Sequence, residues 1–71
     1  MNTWKGGVHG ATMRALREKA GVSQERLAAR AGLAVQTINR IENGKVKISH
    51  PLTIKAIADA LDVDASIIIR K

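Results

Sequence analysis

The segment Ser23–Lys45, SQERLAARAGLAVQTINRIENGK, constrains this chain more than any other stretch. Ala28 is followed by Gly32, and then by Ile38 and Ile41 one helical turn apart. Two short helices that cross steeply over a tight turn require this arrangement. A small side chain must stand where the two axes come closest, and Ala28 occupies that point. The turn needs a residue that takes a left-handed conformation without strain, which Gly32 supplies. The second helix must seat itself on the first through apolar residues a turn apart, and Ile38 and Ile41 do this. Each element is common alone; in this order and spacing they are specific.

The rest of the chain is also patterned at helical spacing. Met13, Leu16 and Ala20 mark the inner face of a first helix, with Gly21 as its stop. Ser23 is placed to cap the second helix, Glu25 favours its N-terminal dipole, and Leu27, Ala28 and Ala31 form its inner face. The third helix is expected from Val35 to Glu42, terminated by Asn43-Gly44. A fourth begins near Ser49–Pro51, where proline is tolerated in the first turn, with Ile54, Ile57, Ala58 and Leu61 inward. Asp64 can cap a short fifth helix, and Val63 can pack on Ile68 as a staple. The expected fold is therefore all-α, a compact five-helix domain over residues 10–71, preceded by a flexible arm over residues 1–9.

Composition narrows the function. The chain has 71 residues and no cysteine, which excludes disulfides and thiolate metal sites and fits a reducing cytoplasm. No apolar run approaches the roughly 20 residues that span a bilayer, and Met1–Gly10 has no secretory character. Twelve Lys and Arg stand against six Asp and Glu. Residues 1–57 hold ten of the basic and three of the acidic side chains, so the excess lies in the body of the chain. This balance suits a polyanionic partner. Trp4 is the sole aromatic residue, which disfavours readers of single strands that stack bases on aromatic side chains.

The third helix carries the functional expectation. With Ile38 and Ile41 facing inward, Gln36, Asn39 and Arg40 face outward, and Val35, Thr37 and Glu42 lie on the flanks. Arginine can grip guanine, glutamine and asparagine can pair with adenine, and valine can touch a thymine methyl. A merely solvated face more often carries Glu and Lys.

Residues 11–69 resemble the phage-repressor and Cro-like helix-turn-helix family of XRE-type regulators. The resemblance rests on Leu16-Arg17, Ser23-Gln24, Leu27-Ala28, Gly32, Thr37-Ile38, Arg40-Ile41-Glu42-Asn43-Gly44-Lys45, Ile57-Ala58 and Leu61. It implies that the second and third helices form the helix-turn-helix, with Val35, Gln36, Asn39 and Arg40 reading bases. It implies phosphate contacts from Gln24, Thr37, Asn43, Lys45 and Lys47, and a structural pair between Arg17 and Glu42. Ala34 departs from the pattern, because the family places a capping Ser or Thr there. Ser49-His50-Pro51 also differs from the commoner Pro-Ser pairing before the fourth helix.

The remaining residues give smaller expectations. His9 and His50 have no acidic or thiol companions that would suggest a metal site. No nucleophile–base pairing, carboxylate pair or phosphate-cradling loop is visible, so neither catalysis nor a cofactor is expected. Trp4 and Lys5 form part of the arm, which can reach along DNA or lie over apolar surface. Ile67, Ile68 and Ile69 are consecutive, so a helix leaves at least one of them outside the core, and they are candidates for a homodimer contact. The leading expectation is a cytoplasmic, sequence-specific repressor that binds double-stranded DNA as a dimer, with no membrane partner and no small-molecule ligand. An antitoxin or a restriction-modification control protein would share this core. A protein-interaction adaptor that does not bind DNA is the alternative from a different class.

Overall fold

A computed structural model of the chain describes residues 8–46 and 50–69. Among these residues the fold consists of α1 (Gly10–Lys19), α2 (Gln24–Ala31), α3 (Val35–Glu42), α4 (Pro51–Leu61) and α5 (Ala65–Ile68). Helix α2 lies centrally, packed against both α3 and α4, while α1 rests on α3 and α5. The innermost side chains are Met13, Leu27, Ile38, Ile41, Ile54, Ile57 and Ile68. Every helix except the four-residue α5 ends in a similar way. Within two residues of the helix end the backbone turns left-handed, at Gly21, Gly32, Gly44 and Asp62, and two backbone N–H groups reach back to otherwise unpaired carbonyls. Val22, Leu33 and Val63, each just beyond such a turn, then fold back onto the core. At three of the four turns a left-handed residue followed by an apolar one is thus the device that reverses the chain.

Helix starts are less uniform. The Ser23 hydroxyl accepts from the Arg26 N–H at 3.0 Å, and the Asp64 carboxylate accepts from the Ser66 N–H at 2.9 Å. That bond to the Ser66 backbone, with a further contribution from the Ser66 side chain, holds Asp64 below its ordinary pKa. Ala34 and His50 stand at the starts of α3 and α4 without a side-chain cap. The missing cap at Ala34 costs α3 about 1 kcal/mol relative to serine.

Three sequence expectations are corrected. Ala20 is exposed beyond the end of α1, whereas Val8 is a core residue, only 4% accessible. Val8 and His9, assigned to the arm over residues 1–9, are instead part of the folded domain. Val8 forms an isolated antiparallel bridge with Ile69, and the His9 N–H donates to the Ile68 carbonyl at 2.7 Å. Ile68 is completely buried in the chain's own core, which removes it from the dimer candidates. Trp4, Lys5, Lys47 and Ser49 lie outside the described residues.

Gly10 holds α1 against the end of α3. A Cβ there would overlap the carbonyl oxygen of Ile41 and lie 3.2 Å from the Glu42 carbonyl carbon. Both obstacles are backbone, so neither can swing aside. Gly10→Ala is expected to destabilise the fold by about 1–2 kcal/mol, as the clash outweighs alanine's better helix propensity. Urea denaturation of the two proteins measures this, and an unchanged midpoint would show that α1 does not sit so close.

Candidate nucleic-acid interface

The surface of interest is α3 together with the residues that flank it. Ile38 and Ile41 are buried beneath it, at 0% and 1% exposure, which fixes the rotation of the helix about its axis. The turn preceding it is rigid. Gly32 has φ +70°, and the Gly32 and Leu33 N–H groups donate to the carbonyls of Ala29 and Ala28. Ala28 is itself 3% exposed, as the close approach of α2 and α3 demands.

With the inner face fixed, the outer face follows. Gln36, Asn39 and Arg40 are exposed, Val35 is exposed at the first turn, and Thr37 is half-buried. The side chains of Gln36 and Arg40 have no hydrogen bond or ion pair among the described residues. Asn43, Gly44 and Lys45 leave the helix on the solvent side. The Lys45 N–H is bound to the Arg40 carbonyl at 2.9 Å, so the end of α3 holds the base of the lysine side chain in place.

Beneath the helix a polar cluster ties α1, α2 and α3 together. The Arg17 guanidinium grips Glu42 with two donors, Nε to Oε2 at 2.6 Å and Nη2 to Oε1 at 3.1 Å. Its Nη1 donates to the Val22 carbonyl at 2.9 Å. The Glu42 side chain is 1% exposed and that of Arg17 12%, so this pair is largely shielded from water. Hydrogen bonding to Glu42 raises the already high Arg17 pKa further. Gln24 joins the cluster by donating from Nε2 to Glu42 Oε1 at 3.0 Å, and its Oε1 accepts from Asn39 Nδ2 at 3.4 Å. Asn39 Oδ1 in turn accepts from Asn43 Nδ2 at 3.1 Å. The amide of Gln24, for which the family resemblance implies a phosphate contact, thus has internal partners at both ends.

Arg14 is paired with Glu18 and Lys55 with Asp59, in exposed i,i+4 contacts. Among the described residues the Lys and Arg side chains without an ion pair are Lys19 on α1, Arg26 and Arg30 on α2, Arg40 on α3 and Lys45 just beyond it. His9 Nδ1 meets the Thr12 hydroxyl at 2.6 Å, and His50 is exposed at the start of α4. No group of described residues could hold a metal ion, and no described helix is long and apolar enough to cross a membrane.

Residues 13–68 match the helix-turn-helix family model. The chain belongs to the XRE-type helix-turn-helix family. It is 43% identical over 54 residues to the HTH-type transcriptional repressor RghR of Bacillus subtilis, a match that covers 76% of this chain. The chain spans 40% of that relative's length. Among solved structures it is similar to the restriction-modification controller protein C.AhdI from Aeromonas hydrophila. That match has 32% identity and a TM-score of 0.79, and it covers 83% of this chain and 88% of the other. It is also similar to the hypothetical transcription factor NHTF from Neisseria. There the identity is 31% and the TM-score 0.80, with coverage of 90% and 72%.

Sequence reasoning missed two features that support this surface. Gly10 gave no periodic cue, because its role comes from the backbone of a helix 31 positions away. The link from Gln24 to Asn39 was also missed, since residues 15 apart on different helices meet only once α2 and α3 cross.

Proposed function

We propose that this chain is a transcriptional regulator that lays α3 in the major groove of double-stranded DNA and represses by occupying an operator as a homodimer. The observation that carries the reading is the outer face of α3. Its two best-suited side chains for base edges, Gln36 and Arg40, project from a rigidly seated helix and have no partner within the described residues. Arg40 is assigned to a guanine and Gln36 to an adenine, with Asn39 and Val35 beside them. Thr37, Asn43 and Lys45 are assigned to phosphates, together with Lys47 beyond the described residues and the second N–H of the Gln24 amide. The chain works by binding, without catalysis, in the cytoplasm.

Binding to duplexes selected from a random library tests this reading. Affinity should fall linearly on a log–log plot as salt is raised, because phosphate contacts release counterions. Lys45→Ala should weaken binding to all duplexes alike and reduce that slope by about 1. An affinity independent of salt would overturn the assignment to DNA.

The dimer contact is assigned to Ile67 and Ile69. Ile67 is 51% exposed, a large apolar side chain left outside by the short turn of α5, and Ile69 is half-buried. Ile67→Glu is expected to shift sedimentation equilibrium toward the monomer while leaving the helical circular dichroism intact. A variant that sediments like the parent would place the contact elsewhere.

A further inference from the structure

The polar cluster under α3 has a direction, and that direction reaches the solvent face. Ionised Glu42 is only an acceptor, so every group that binds it must donate. Arg17 can only donate. The Gln24 amide can do either, but at 3.0 Å from the carboxylate it must present its NH2 group. Its carbonyl oxygen is therefore turned away from Glu42, toward Asn39. This forces Asn39 to offer its own NH2 group, and its carbonyl oxygen then accepts from Asn43. One buried carboxylate thus sets the orientation of two successive amides that would otherwise be free to flip.

The consequence falls on what Asn39 has left to offer. Its NH2 group carries two hydrogens, one directed at Gln24, and its oxygen carries two lone pairs, one taken by Asn43. One donor and one acceptor remain on an exposed side chain. Adenine presents the complement in the major groove, an acceptor at N7 and a donor at N6. We propose that Gln24 is a positioning residue for base readout. Held by Glu42, it locks the Asn39 amide in the orientation that selects adenine at one position of the site. This rests on the DNA-reading function proposed above, and it gives Gln24 a role in specificity beyond any contact with the phosphate backbone.

The test uses Gln24→Met, which keeps the length of the side chain and removes its amide, together with Asn39→Ala and the double variant. Each is measured against duplexes carrying every base at each position of the selected site. Asn39→Ala should lower the preference for adenine at one position by about tenfold. Gln24→Met should lower it at that same position by about threefold or more, with the positions read by Gln36 and Arg40 unchanged. The double variant should lose no more than Asn39→Ala alone, because the effects of coupled residues are not additive. In the free protein, Gln24→Met should also shift the side-chain amide resonances of Asn39.

Two results would overturn the positioning role. One is a uniform loss of affinity in Gln24→Met with the Asn39 preference intact, which describes a plain backbone contact. The other is an unmoved Asn39 amide signal, which breaks the chain of bonds whether or not DNA is present. A parent protein that ignores duplex sequence altogether would bring down the DNA reading itself, and this proposal with it. The amide shift separates the two failures.

Discussion

Glu42→Ala is expected to destabilise the folded chain by about 3–5 kcal/mol, the usual cost of removing one member of a buried ion pair. The cost arises from what is left behind. Arg17 has 12% of its side chain exposed and would keep only the Val22 carbonyl as a partner. Gln24 would lose the acceptor for its amide nitrogen in the same step. A domain of this size loses about 4–8 °C of melting temperature per kcal/mol, so a drop of more than 12 °C should appear in a thermal melt. The double variant Arg17→Met/Glu42→Leu should recover most of that loss, because apolar replacement removes both desolvation penalties together. A single variant that melts within a few degrees of the parent would mean the pair is far better hydrated than its burial implies.

Arg40→Ala should leave the melting temperature nearly unchanged and yet weaken binding to the selected duplex by about fivefold to 150-fold, equivalent to 1–3 kcal/mol. The two effects separate because Arg40 is exposed and has no intramolecular partner among the described residues to lose. The loss should be confined to one base pair, where discrimination against the other bases disappears. Here Arg40 differs from Lys45, whose removal acts on every sequence alike. Binding assays on the selected duplex and its single-base variants provide the measurement. If both affinity and base preference survive the substitution, direct readout by α3 is wrong, and an adaptor that uses this fold to bind protein becomes the better description.

The order of helices and the corner between α2 and α3 were legible because they depend on local chemistry. Gly32 takes φ +70° since only a residue without a Cβ does so freely, and Ser23 caps because its hydroxyl lies within reach of the Arg26 N–H. The alternation of Ile38 and Ile41 with Gln36, Asn39 and Arg40 is likewise a property of helical spacing, and the burial of each followed it. Contacts between distant segments were harder to read. Val8 looked like part of an arm because it belongs to no apolar periodicity in the sequence, and its partner Ile69 lies at the far end of the chain. Ile68 could not be told from Ile67 and Ile69 by residue type, and only the short turn of α5 determined which of the three would be buried.

The same division holds for the segment that first constrained the fold. By itself the sequence of Ser23–Lys45 determined that two helices meet at a glycine turn and that α3 presents Gln36, Asn39 and Arg40 outward. Spacing and backbone freedom suffice for that. Only the tertiary structure decided that the Gln24 amide is bound to Glu42 and faces Asn39, and that Gly10 must remain a glycine beneath the carbonyl of Ile41. Hydrogen-bond direction and steric contact between helices depend on distances in space, and these exist only once the helices have packed.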